Sequence, residues 1–179
     1  MDVIDEINEV RTNPKAYAEK IEKLKGCFKG KVLRLPGSKV GIMTTEGAKA
    51  YEECVTYLQN ADPVEKLESS RGLNNIAKEF LSRVQQIDPE KIGDIDMDEI
   101  IEKNGSFVGN FSRAIDFGGV DAQSAIANLL VCDGDSSRGQ RESLFNNNIH
   151  FIGAASGKHK TYGTCTVIVS ATKFTDKMD

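Results

Sequence analysis

The residues best equipped for chemistry crowd into one stretch, Cys132-Asp133-Gly134-Asp135-Ser136-Ser137-Arg138-Gly139-Gln140-Arg141-Glu142-Ser143-Leu144-Phe145. Its two arginines can grip carboxylates or backbone carbonyls through their planar forks, and Gly134 and Gly139 offer the backbone freedom of a tight loop. A catalyst is harder to assemble from it. Ser136, Ser137 and Ser143 have no histidine nearby in sequence to activate them, and Asp133 beside Cys132 disfavours a thiolate. The chain holds only two histidines, His150 and His159, with no His-x-x-x-His or His/Cys cluster, whereas zinc asks for three or four such ligands. Asp94-x-Asp96-x-Asp98 starts like a calcium loop, but Glu99 stands where the turn needs glycine and Gly105 where the bidentate glutamate belongs. No metal and no cofactor is expected.

From Asp133 to Phe145 the pattern is Asp-Gly-x-x-x-Arg-Gly-x-Arg-x-x-Leu-Phe, followed by Asn146-x-Asn148, a Gly153-Ala154 strand and Thr161-Tyr162-Gly163-Thr164-Cys165. This resembles the C-terminal half of the CAP superfamily, the cysteine-rich secretory, antigen 5 and pathogenesis-related proteins with their SCP-like domain. Within it, the closest likeness is to a lineage with a Ser-Arg-Gly-His-Arg signature, which reads here Ser137-Arg138-Gly139-Gln140-Arg141. Ile7-Asn8-Glu9-Val10-Arg11-x-Asn13-Pro14 with Tyr17-Ala18 is similar to that lineage's first helix. Glu46-Gly47 with Ala50-Tyr51-Glu52-Glu53, Pro63 to Leu67, and Gly72-Leu73 are similar to its second and third helices.

The resemblance implies a three-layer α-β-α sandwich, an antiparallel sheet between helices, and a cleft built from two histidines and two acids. Taken by position, Val84 to Phe107 holds no first histidine. Val108-Gly109-Asn110-Phe111 matches the first acidic motif, with Gly109 where the carboxylate belongs. Asp133 matches the second acid, and Gln140 replaces the second histidine. Glutamine hydrogen-bonds but does not titrate near neutral pH. Gly109, Asn110, Asp133 and Gln140 are thus the expected cleft remnants, and Arg138, Gly139 and Arg141 the expected organisers of the loop. Arg138 has a second reading as an anion-binding group, and Asp133 reads as a helix-end or arginine partner.

The elements that must position these residues are read from periodicity. Asp2 caps a helix carrying Val3, Ile4, Ile7 and Val10, and Asn13-Pro14 starts a second through Ala16, Tyr17, Ile21 and Leu24. Lys25 to Gly41 is a lysine- and glycine-rich excursion with a short strand at best. Thr45 is expected to cap a helix from Glu46 to Leu58. Ser70 or Ser69 caps the next, with Leu73, Ile76, Ala77, Phe80, Leu81 and Val84 on one face. Between Asp88 and Gly119 the pattern weakens to turns around a short helix near Met97 to Ile101. Asp121 caps a helix to about Val131. Ile149 to Ala155 and Cys165 to Ala171 alternate as an antiparallel hairpin. The whole is a single α+β domain over residues 1–179.

A chain of 179 residues, 39% hydrophobic and 28% charged, is long enough for one real core. A net charge of −4 and a pI near 5.3 argue against nucleic acid as a partner. Lys20, Lys23, Lys25, Lys29, Lys31, Arg34 and Lys39 read as a solvated face and turn. No apolar run is long enough for a transmembrane segment, and Met1 to Glu6 shows no leader pattern. The four scattered cysteines read as buried thiols. The expectation is therefore a cytoplasmic protein without enzymatic activity, binding other proteins of a larger assembly, cytoskeletal or ciliary, with microtubule or axonemal partners. A lipid or sterol carrier is the alternative. A relocated active site at Asp133, Arg138 and Gln140 is the third reading.

Overall fold

The computed structural model describes residues 2–37 and 39–178. Helix α1 (Val3–Thr12) begins where the Asp2 carboxylate accepts from the Asp5 N–H at 2.8 Å, and α2 (Pro14–Lys25) where the Asn13 side chain accepts from the Ala16 N–H with Pro14 in the first turn. The excursion after α2 folds into a small antiparallel sheet of β1 (Phe28–Lys29), β2 (Val32–Leu33) and β3 (Ile42–Met43). Then come α3 (Ala48–Asn60), β4 (Glu68–Ser69), α4 (Arg71–Val84) capped by Ser70, a 3-10 turn (Pro89–Asp94), and α5 (Met97–Asn104) capped by Asp96. The C-terminal part runs β5 (Gly105–Phe117), α6 (Ala122–Val131), α7 (Gly139–Leu144), β6 (Phe151–His159) and β7 (Gly163–Asp176).

The main sheet has the order β4-β6-β7-β5. Central strand β7 is buried on both faces from Cys165 to Ala171. Its Cys165, Val167, Val169 and Ala171 meet α4 and α5, while Ile168 joins the core formed with α1, α2, α3 and α6. Three layers result, helices on both sides of a sheet, with a hydrophobic core in each interface. Each Leu, Ile or Phe buried there is worth roughly 1.5–3 kcal/mol. The α4 helix approaches β6 so closely that a side chain at Gly153 would strike the Leu73 and Asn74 backbone, so only glycine serves there.

Four expectations need correction. The sheet is mixed, because β4 pairs parallel with β6; two polar residues, Glu68 and Ser69, leave no strand pattern to read. The stretch 105–117, expected as turns, is a thirteen-residue strand. It is an edge strand with its first half exposed and a bulge between Val108 and Phe111, which erases the alternation. Helix α3 starts at Ala48 with Gly47 as its cap, and Thr45 makes no side-chain cap. Finally, the signature stretch is part helix, since α7 occupies Gly139–Leu144.

Candidate functional site

The signature loop between α6 and α7 is held by its own arginines. Arg138 binds Glu46 as a fork, Nη1 to Oε2 at 2.7 Å and Nη2 to Oε1 at 2.9 Å, and reaches Glu53 through Nε and Nη2. It also donates to the Cys132 and Asp135 carbonyls. Arg141 is 2% exposed; it donates to the Leu130 and Val131 carbonyls at the end of α6, binds Glu53 at 2.8 Å, and stacks on the Tyr57 ring. The carbonyls left open at a helix C-terminus carry partial negative charge, which these cations meet. Arg138 and a Gly134 N–H bond hold the Glu46 carboxyl down to about 2, and Arg141 with Arg138 lowers that of Glu53. The forks are occupied from within the chain, so Arg138 has no fork left for an outside anion.

Asp133 reaches across 87 and 88 positions of sequence, accepting from the Glu46 and Thr45 N–H groups at 2.8 Å each. It ties down the turn that leads into α3, from far along the chain. Gly134 adopts φ of +83°, but Gly139 does not leave ordinary backbone space. The left-handed positions fall on Cys132 and Arg138 instead. The expected glycine freedom at Gly139 is corrected accordingly. The hydrogen bonds of Arg138 to the loop carbonyls hold its own strained backbone in place.

A cavity of about 610 Å³ opens beside this loop, beneath β3 and against the end of β5. Gln140 lines it, as does Asp133. Gly109 and Asn110 do not. They lie at the bulge on β5, where the Asn110 N–H donates to Thr172, seven and six residues before Asp116 and so roughly 20 Å away along the strand. The carboxylate that β5 does bring to the cavity is Asp116, 6% exposed. Its Oδ1 accepts from Asn128 at 3.0 Å and its Oδ2 from the Gly119 N–H at 3.1 Å. Burial pushes its carboxyl up to about 6. Tyr51 of α3 also lines the cavity at 3% exposure. Its ring packs edge-on against Phe28, and burial pushes its phenol up to about 12.

Sequence reasoning missed both. Asp116 sat in a stretch with no legible period. Tyr51 read only as an apolar face position. Neither histidine enters the cavity lining. His150 is exposed, whereas His159 is 4% exposed, accepts the Thr161 and Tyr162 N–H groups at Nδ1, and packs against Phe117 and Tyr162. All four cysteines are free thiols, and burial pushes Cys54 up to about 12 and Cys165 to about 11. Among the described residues no cluster of three or more His, Cys, Asp or Glu is placed to hold a metal, and no helix is long and apolar enough to cross a membrane.

No protein-family model and no curated protein matches the chain. Among solved structures it is similar to a cysteine-rich secretory protein from Staphylococcus aureus subsp. aureus Mu50, at 15% identity and a TM-score of 0.42. The match covers 70% of this chain and 38% of that protein. No residue role transfers at that distance.

Proposed function

We propose that the chain is a non-enzymatic, CAP-like binding domain that serves as a component of a larger intracellular protein assembly. The observation that carries this reading is an exposed apolar rim. Of the eight large hydrophobic residues exposed among the described ones, five lie together at one end: Val40, Ile42, Met43, Val120 and Tyr162. Met43 and Val120 are each 74% exposed. Apolar side chains gathered in one place mark contact surfaces more often than scattered ones do. The arginine network supports the reading, because it spends the loop's charged groups on holding a rigid frame behind the rim.

The test is affinity purification of the tagged chain from its native cells, with proteins and lipids both identified by mass spectrometry. A stoichiometric protein set, cytoskeletal or ciliary in the version we favour, is expected with the wild type and is lost with Met43→Asp and Val120→Asp. An unchanged set with both variants would overturn the rim as the docking surface.

A second reading has its own observation. Leu24, Leu35, Pro36, Val40, Ile42 and Val120 line an adjoining groove of about 530 Å³, which suits an acyl chain or sterol. Co-purified lipid without a protein set would favour a carrier over an assembly component.

A further inference from the structure

We infer that the cavity between β3, α3, α6 and the end of β5 binds an alkylammonium group, with the Tyr51 hydroxyl and the Asp116 carboxylate as its two recognition groups. The inference rests on reading this cleft as a binding cavity rather than a catalytic one.

Tyr51 carries the argument. Its side chain is nearly buried, with 3% exposed, and its hydroxyl makes no hydrogen bond among the described residues while it opens on the cavity that it lines. A tyrosine hydroxyl open to a cavity and unpaired within the protein is available to a group that enters the cavity. The charge around it selects the sign of that ligand. Asp116, Asp133 and Asp135 all line the cavity, and no lysine, arginine or histidine does among the described residues. The nearest guanidiniums are occupied by Glu46 and Glu53. An anion would meet three carboxylates with nothing to offset them.

The lining carries several acceptors suited to N–H donors. Asn128 donates its Nδ2 to Asp116 and also lines the cavity, where its amide oxygen is a further acceptor. Each Asp116 oxygen accepts one bond within the chain and retains a lone pair. Three acceptors, on Tyr51, Asp116 and Asn128, match the three hydrogens of a primary ammonium. The apolar part of the lining, Leu33, Val131 and the Phe117 ring, suits the methylene stem. A divalent metal is a poorer match, since the described residues bring no three ligating side chains together.

The ammonium could come from a free amine or from a lysine side chain on a partner protein, and the experiment separates them. The full chain is titrated with n-butylammonium chloride at constant ionic strength and followed by amide NMR shifts at Gly118, Gly119 and Cys132. Saturable shifts up to about 50 mM are expected, a regime of weak millimolar affinity. n-Butanol and acetate should give none. Nα-acetyl-lysine amide binding at least as tightly as butylammonium identifies a lysine side chain as the source, whereas its exclusion identifies a free amine.

Tyr51→Phe should weaken butylammonium by about tenfold, the value of one hydrogen bond to a charged group, without moving the unfolding midpoint, because the hydroxyl has no partner to lose. Asp116→Asn should weaken it at least as much. Equal binding of butanol and butylammonium, or full affinity in Tyr51→Phe, would overturn the inference. A protein set retained on the rim alongside a failed titration would sink this inference and leave the docking reading standing.

Discussion

At the scale of single residues, the most consequential group is Asp116, a carboxyl placed at 6% exposure with only neutral donors for partners. Its value near 6 lies above the ordinary 3.8 because burial penalises the charge. The folded state therefore holds this proton more tightly than the unfolded chain. Stability from Asp116 is complete below pH 4 and is lost as pH rises through 6, by about 3 kcal/mol for two units of separation. Glu46 has the opposite sign: its carboxyl is depressed to about 2, so its contribution disappears only as pH falls below about 4.5. The two windows meet only near pH 4, so above pH 4.5 the Asp116 term dominates. Urea midpoints measured at pH 4.5, 6 and 7.5 should fall with rising pH in the wild type, and Asp116→Asn should remove most of that slope. An identical slope in the variant would mean that Asp116 is not the titrating group.

At the scale of elements, the α6–α7 connection behaves as a clamp on α3. Arg141 joins the last carbonyls of α6 to Glu53, and Arg138 joins the loop to Glu46 and Glu53. Removing Arg141 leaves two buried carbonyls without donors and frees Glu53 from one partner, so Arg141→Ala should cost about 3 kcal/mol. Chemical denaturation measures this directly. Arg141→Lys should recover only part of the loss, because an ammonium cannot span a carbonyl and a carboxylate in the fork geometry. The helices themselves were legible in sequence. Asp2, Asn13, Ser70 and Asp121 are local signals, each acting within three residues, and each is found capping its helix; the Asp96 cap of α5 went unread. Thr45 failed as a cap because the helix starts two residues later, with Gly47 as its cap, and the Gly47 N–H that Thr45 would have served donates to the Thr44 hydroxyl instead.

At the scale of the molecule, one sheet serves two cores. Strand β7 contributes Ile168 to one and Val167 and Val169 to the other, so neither core survives loss of the strand. Long-range staples bind the N-terminal helix to the same frame: Arg11, 1% exposed, donates to the Glu65, Leu144 and Asn146 carbonyls, and Asn8 exchanges two bonds with Leu67. One cooperative transition is expected. Tyr17 and Tyr51 belong to the first core and Tyr57 packs against it, and the chain has no tryptophan. The fourth tyrosine, Tyr162, stands beside Phe117 at the edge of the second core, so tyrosine fluorescence is weighted towards the first core while far-UV circular dichroism reports both. Coincident urea midpoints are the expected result, and separated ones would show that the cores unfold independently.

By itself the sequence determined most of the helices and the caps of α1, α2, α4 and α6, the central hairpin and the α+β class, because these depend on residue spacing and on contacts a few positions apart. It also carried the arginine-rich loop, though not the identity of the glutamates that hold it. Only the tertiary structure decided where β5 lies, that β4 joins the sheet in parallel, and that Asp116 and Tyr51 face one cavity while Gly109 and Asn110 lie far from it. The reason is physical. An edge strand exposed over half its length and broken by a bulge has no periodic signature. The polarity of a cavity depends on which side chains from α3, β5 and α6 converge, and spacing along the chain does not encode that convergence.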